Sequence, residues 1–230
     1  MLAHDVQEYI VLRKKQETQA VTTLTIALLN GNIPAYKAGQ YITVYFFDSS
    51  APQGKAYSIS SAPTERLFTI TVKAVGEYSH RLCAMDCDDT FFGSLPKGVF
   101  YSEYKDTDII MLASGTGVTP FRSMIIDTVQ NAQKKALFLF YSHRTTGDAL
   151  FTEEFDNIKK NYATVHIENY VTRESAKPRR ITIPDILSIV RNSRQGEFFI
   201  CGPTSFVREQ RIALQNAGVV SEYIHTEACS

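Results

Sequence analysis

Two glycines flanking a threonine, with a proline three residues later, can cradle a phosphate, and the chain carries such a turn at Gly115-Thr116-Gly117-Val118-Thr119-Pro120. Free amides and the positive end of a following helix favour an anion, and glycine lets the backbone approach it without a Cβ. The flanking residues supply the elements that would hold such a turn. Residues 109–113 form a short apolar run suited to a central parallel strand, and residues 121–130 have the spacing of an amphipathic helix. Pro120 is therefore expected at the first helical position. The pattern points to a nucleotide, although a lone Gly-x-Gly turn also serves plain strand-to-helix packing.

Three further pieces bear on that reading. Phe198-Phe199-Ile200-Cys201-Gly202-Pro203 is a second apolar strand ending in a Gly-Pro turn, followed by a helix over 205–216. Lys55-Ala56-Tyr57-Ser58 lies on an alternating strand, and Val72-Lys73-Ala74 leads into Gly76-Glu77-Tyr78-Ser79 at the start of a short helix. Each has an ordinary structural reading: Tyr57 as a half-buried strand aromatic, Ser79 as a helix cap, Cys201 as a small buried residue. Tyr57 and Ser58 are adjacent on a strand, so both can address one flat ligand only at a strand end.

The elements that must position these residues fall into two halves. Residues 1–103 read as closely spaced strands at 8–13, 20–27, 41–47, 56–60, 67–72 and 98–102, with one short helix, which suggests a barrel. Residues 104–230 alternate strand and helix: strands at 109–113, 137–142, 164–170 and 198–201, helices at 121–130, 151–161, 183–190 and 205–216. That alternation argues a doubly wound parallel α/β sheet, with ligands beyond the carboxyl ends of its strands, where Gly115, Arg144, Arg173 and Cys201 fall. The linker is expected over residues 101–107.

The 24 basic and 24 acidic residues give a formal net charge of zero, so no global field would hold nucleic acid or an anionic membrane. Met1-Leu2-Ala3-His4-Asp5 has no apolar signal core, and no segment reaches the roughly 18 apolar residues of a spanning helix, so a cytoplasmic protein is expected. Four cysteines, at 83, 87, 201 and 229, are too scattered for a disulfide framework or a four-thiolate metal site, and no metal is expected. Nothing basic near Cys229 in the sequence argues for a low thiol pKa.

The motifs, in this order, resemble the ferredoxin–NADP reductase family over nearly the whole chain. The family pattern Arg-x-Tyr-Ser, Gly-x-x-Ser, Gly-Thr-Gly-x-x-Pro, Cys-Gly-Pro and a late glutamate reads here as Lys55 to Ser58, Gly76 to Ser79, Gly115 to Pro120, Cys201 to Pro203, and Glu227. The resemblance implies a six-stranded antiparallel barrel holding a flavin, FAD or else FMN, and an α/β domain holding NADPH or NADH. It implies that Tyr57 packs on the flavin ring and that Ser58 bonds near the ring nitrogen that receives hydride. It also implies that Cys201 lies by the nicotinamide and that Glu227 orients the rings or relays a proton, which makes Ser58, Cys201 and Glu227 the catalytic candidates. Val72, Lys73 and Ala74 are implied as backbone contacts to the flavin, and Gly76, Tyr78 and Ser79 as part of its phosphate site.

One position departs from the pattern: Lys55 replaces an arginine, keeping the charge but losing the bidentate fork. The family's aromatic lid after the glutamate has no counterpart in Ala228-Cys229-Ser230, so easier access to the flavin is expected. Arg144 and Arg173 lean toward the 2′-phosphate of NADPH.

With no clustered cysteines for a fused iron–sulfur domain, electrons would leave to a separate protein such as a ferredoxin, a flavodoxin or an oxygenase component. A flavin reductase that releases reduced flavin, and a non-catalytic nucleotide-binding docking subunit, are the alternatives.

Overall fold

The structure, a computed structural model, describes residues 6–104, 107–174, 179–190 and 196–229. The N-terminal stretch Met1 to Asp5, and Lys105-Asp106 of the expected linker, lie outside the described residues. The chain divides into two compact units, one running to Tyr101 and taking in Arg122–Asp127, the other formed by Ser102–Phe121 and the chain from Thr128 onward.

The first unit contains β1 (Val6–Thr18), β2 (Val21–Leu28), β3 (Tyr41–Tyr45), β4 (Lys55–Ser58), β5 (Thr69–Lys73), α1 (Glu77–Ala84) and β6 (Thr90–Ser94). Period-two alternation sets the inner face: Ile42 and Val44 point inward from β3, and Leu24 and Ile26 from β2. They meet Tyr9, Ile59, Phe68, Ile70, Val72 and Phe91 in one core, where each large apolar side chain contributes about 1.5 to 3 kcal/mol on burial. The Tyr9 hydroxyl donates to the Ser94 carbonyl at 2.9 Å, so this interior aromatic keeps its polar end satisfied.

The antiparallel strands run in the order β4-β3-β6-β1-β2-β5. Register shifts between Val11 and Arg13 and between Gln16 and Thr18 mark irregularities in β1, of the kind that increases twist and lets a sheet curl. The two outer strands are joined by a bridge between Ile59 and Ile70, with the Ser60 amide on the Thr69 carbonyl at 2.8 Å. A six-stranded barrel results.

One expected strand is misplaced. Residues 98–102 are not a strand; Lys97 alone bridges to Tyr41, and the sixth strand is Thr90–Ser94. Gly93 inside it lowers the strand signal. A Cβ at the same position would sit 3.0 Å from the Tyr9 ring, so the glycine gives that ring room.

The second unit contains β7 (Ile109–Ser114), the two ends of α2 (Thr119–Gln130, whose middle, Arg122–Asp127, belongs to the first unit), β8 (Leu137–His143), α3 (Thr152–Asn161), β9 (Val165–Val171), α4 (Ile183–Ile189), β10 (Glu197–Pro203), α5 (Thr204–Asn216) and β11 (Ile224–Cys229). The five strands are parallel in the order β11-β10-β7-β8-β9. β7 and β8 are buried along nearly their whole length, as central parallel strands covered on both faces must be. The fifth strand, β11, was not expected from the sequence. Its run Ile-His-Thr-Glu-Ala-Cys carries little hydrophobic signal because it is an edge strand held by β10 alone. Among the described residues, no helix is long and apolar enough to cross a membrane.

Candidate functional site

In the first unit the barrel wall is joined at Ile59–Ile70 but not beyond it. Antiparallel register from that bridge sets Tyr57 against Val72 and Ala56 against Lys73, yet β4 and β5 exchange no ladder hydrogen bonds there. The hydrogen-bond ladder therefore has a gap, a slot in the pairing with Tyr57 and Ser58 on one edge and Val72 and Lys73 on the other. β4 ends at Ser58, which is the strand-end position that lets adjacent side chains address one ligand. Lys55 and Ala56 are exposed, while Tyr57 and Ser58 are half-buried. Tyr57 packs on the barrel core, and burial pushes its phenol well above the usual range.

The chain leaves β5 through Ala74, whose amide is held by the Ala20 carbonyl at 2.9 Å, and enters α1 at Gly76. The buried Ser79 hydroxyl oxygen accepts from the amides of Val75 and Gly76, both at 2.9 Å. The next amides, of Glu77 and Tyr78, belong to the first turn, where a helix supplies no acceptor of its own. Beside Gly76 the space a Cβ would enter is open to 4 Å. An open glycine and the first-turn amides fit a phosphate. The Tyr78 side chain is turned away, with its hydroxyl donating to the Ala51 carbonyl and accepting from the Phe46 amide at 3.2 Å, so only its backbone is available to a ligand.

Sequence reasoning missed what fixes the segment after Ser58. Within the first unit, Arg122 makes a two-pronged ion pair with Glu65, 2.9 Å on each side, and donates to the Ser60 carbonyl at 2.7 Å. Glu65 also accepts from the Ala62 amide at 2.6 Å, which closes the turn. The available signal was a single charge, the arginine, in the otherwise uncharged Pro120-Phe121-Arg122-Ser123-Met124-Ile125 run.

In the second unit the parallel strands bring their carboxyl ends to one edge. Gly115–Val118 is a single 3-10 turn, and α2 begins at Thr119, so Pro120 is the second helical residue rather than the first. The Thr119 hydroxyl donates to the Thr116 carbonyl at 2.6 Å, which binds the turn to the helix. A Cβ on Gly117 would lie 2.2 Å from the Cys201 carbonyl oxygen, so the turn after β7 packs its backbone directly on the end of β10. Gly115 has φ of 57° and open space where its Cβ would be, as a backbone cradle for phosphate requires. Two motifs more than 80 residues apart in sequence, Gly115-Thr116-Gly117 and Cys201-Gly202-Pro203, are thus one surface.

Glu227 joins them through β11, where its register partner is Cys201. Burial raises its carboxyl from 4.5 to about 7. Cys229 pairs in register with Pro203, and its sulfur lies 3.6 Å from that of Cys201. The Cys201 thiol is pushed well up, first by its hydrogen bond with Cys229 and then by burial, while the same hydrogen bond lowers the Cys229 thiol. The perturbing group at Cys229 is therefore a cross-strand thiol and not a basic residue.

Arg144 and Arg173 are both exposed, after β8 and β9, and the Arg173 amide donates to the Arg144 carbonyl at 2.9 Å, so the structure brings them together. Sequence reading missed their neighbours. The Glu174 carboxylate accepts from the amide and hydroxyl of Thr146, both at 2.6 Å, and these bonds lower its pKa. The Arg179 guanidinium lies 4.4 Å over the Tyr170 ring.

A buried carboxylate, Glu197, lies at the opposite, amino edge, where β10 begins. It accepts from the Ser102 hydroxyl and pairs with His225 at 3.1 Å. The acid sits between the other two, so the group satisfies a buried charge and does not activate the serine. Cys83 bonds the Val72 carbonyl from α1, which ends at Ala84, so Cys87 is not on the same helix.

Residues 111–211 match the family described as the oxidoreductase NAD-binding domain. A flavohemoprotein of Chromobacterium violaceum is 24% identical over 238 residues, covering 94% of this chain and 59% of that protein. The ferredoxin reductase component of 3-ketosteroid-9-alpha-monooxygenase from Mycolicibacterium smegmatis is 28% identical, covering 98% of this chain and 66% of its own. The chain thus spans less than two thirds of these curated relatives. The flavohem-like FAD/NAD binding domain of nitric oxide dioxygenase from Vibrio cholerae shares the fold, with a TM-score of 0.85 at 22% identity over 98% of this chain and 99% of that one. An antiparallel barrel, and a parallel sheet whose glycine turn and Cys-Gly-Pro end meet, are thus the fold shared with these flavoprotein oxidoreductases, and residues 111–211 match the oxidoreductase NAD-binding domain.

Proposed function

We propose that the protein passes hydride from NAD(P)H to a bound FAD and then single electrons to a separate protein acceptor, such as a ferredoxin, a flavodoxin or an oxygenase component. The slot between β4 and β5 carries the reading, because a fully closed barrel offers no place for a flat ring between two strand edges. When bound, FAD supplies a ring that takes two electrons together and gives them up singly, and NAD(P)H supplies the hydride.

The chain's residues position and charge-balance these groups. Tyr57 lays its ring along the flat ligand, and Ser58 offers a hydroxyl to the ring nitrogen that receives hydride. The backbone of Val72, Lys73 and Ala74 lines the other lip. The first-turn amides after Gly76, oriented by Ser79, hold phosphate together with Lys55. In the second unit the backbone of Gly115, Thr116 and Gly117, with Thr119 and Pro120 opening the helix, holds the dinucleotide pyrophosphate. Arg144 and Arg173 receive the 2′-phosphate, which favours NADPH over NADH. Cys201, Gly202 and Pro203 pack on the nicotinamide, and Glu227 keeps a proton on its carboxyl up to about pH 7.

One observation favours a second reading, a flavin reductase that binds flavin as a substrate. Lys55 is exposed and lacks the planar fork that holds a flavin phosphate on two bonds. Dialysis separates the two readings. A yellow protein that keeps its colour and releases FAD on denaturation supports a resident cofactor, and colour lost with the dialysate supports the flavin reductase. A protein that neither holds nor reduces flavin contradicts both.

A further inference from the structure

Two of the four cysteines face each other in a way that neither hydride transfer nor nucleotide binding requires. β10 and β11 are parallel and register Cys201 with Glu227, so Cys229, two residues further on, projects from the same face of the sheet as Cys201. Their sulfurs are 3.6 Å apart, already in contact. Cys201 is fully buried, whereas Cys229 is half-buried at the end of an edge strand that only β10 holds. We propose that Cys201 and Cys229 form a redox-active dithiol, a modification site at which a hydroperoxide oxidises Cys229 and Cys201 resolves the product to an intrachain disulfide.

The two thiols are matched to different roles. Either sulfur can donate across this contact; with the Cys201 S–H as donor the Cys229 thiolate is stabilised, which lowers the Cys229 pKa and raises that of Cys201. The less buried, more acidic partner is the nucleophile, and the fully buried one is shielded from solvent oxidants until its neighbour has reacted. In the first step the Cys229 thiolate attacks a hydroperoxide oxygen. The S–O bond forms, the O–O bond breaks and the leaving oxygen departs as an alcohol or water after taking a proton, which leaves a sulfenic acid. In the second, the Cys201 sulfur attacks the Cys229 sulfur. The S–S bond forms, the S–O bond breaks, and hydroxide leaves as water with the Cys201 proton. The two thiols have together given two electrons to the peroxide bond, and an external dithiol returns two electrons and two protons.

On adjacent strands, Cα atoms two residues out of register lie about 8 Å apart, beyond the usual span of a disulfide. Cys229 must therefore draw toward Cys201 as the bond closes. Strain of this kind makes a disulfide oxidising and easily reduced, as a reversible site needs. The other two cysteines serve as internal controls: Cys83 bonds the Val72 carbonyl and Cys87 the Leu12 carbonyl, at 3.5 and 3.6 Å.

The consequence for turnover rests on the function proposed above, because it assumes that Cys201 packs on the nicotinamide; formation of the disulfide does not. Purified full-length protein is treated with hydrogen peroxide, alkylated, digested and analysed by mass spectrometry. The expected product is a linked peptide joining Cys201 and Cys229, lighter by two hydrogens and opened by dithiothreitol, with Cys83 and Cys87 still alkylated. In Cys201→Ser, Cys229 runs on to sulfinic acid. Unlinked Cys229 that overoxidises equally fast in the parent and in Cys201→Ser, or that does not react, overturns the proposal. NAD(P)H-driven flavin reduction should fall about tenfold or more in the oxidised protein and recover with dithiothreitol. Cys229→Ser should stay within about twofold of the parent before peroxide and lose no activity after it. A linked peptide with unchanged turnover leaves the dithiol standing and removes Cys201 from the nicotinamide.

Discussion

Glu227 and Gly117 are the residues where charge and space constrain the chemistry most tightly. Glu227 holds its proton to about pH 7 in the folded chain against an ordinary value of 4.5. Between those values the unfolded chain has released the proton and the native chain has not, so stability is highest below the lower value and falls as pH rises to about 7. Glu227→Gln should flatten that fall in a denaturation series against pH. It should also remove an ionisation near neutrality from the pH profile of NAD(P)H-driven flavin reduction, and a profile that keeps it assigns the ionisation elsewhere. Gly117→Ala places a methyl 2.2 Å from the Cys201 carbonyl oxygen, both of them backbone positions with little room to give. The substitution should cost about 2 to 4 kcal/mol of stability and about tenfold or more in nicotinamide nucleotide affinity, read by thermal unfolding and equilibrium binding. Lys55→Arg works in the other direction: the fork it restores should tighten flavin about five- to tenfold, measured by flavin fluorescence titration.

At the scale of elements, the segment from Ser60 to Glu65 depends on Arg122, a residue far away in sequence. Both side chains of the Arg122–Glu65 pair are nearly buried, at 13% and 14% exposure, so removing one partner strands the other. Arg122→Ala should destabilise the first unit by about 3 kcal/mol and release flavin at lower denaturant, with flavin fluorescence reporting the transition. A variant that keeps flavin to the parent's midpoint would show that this turn is independent of the slot. The elements also show what the sequence could and could not convey. β7 and β8 were legible because central parallel strands are unbroken apolar runs, and α2, α3 and α5 because their spacing is helical. β6 was hidden by Gly93, which leaves room for the Tyr9 ring and weakens the local strand signal. β11 was hidden because an edge strand buries little and so carries no strong pattern, although it positions Glu227 and Cys229. The local chemistry of Gly115-Thr116-Gly117 could be read from the motif, while its contact with Cys201, the Cys201–Cys229 pair and the Arg122 clasp arise from long-range register that no local spacing encodes.

For the whole molecule, two units have separate cores, and the proposed function gives the flavin to the barrel and the dinucleotide to the carboxyl edge of the parallel sheet. The central claim is that nucleotide on one unit reduces flavin on the other. Anaerobic mixing of the flavin-loaded protein with NADPH, and separately with NADH, tests it most directly by following the visible absorbance of oxidised flavin. Bleaching is predicted with at least one nucleotide, faster with NADPH, and slowed about a hundredfold in Ser58→Ala. A flavin-loaded protein that neither nucleotide bleaches would contradict the account.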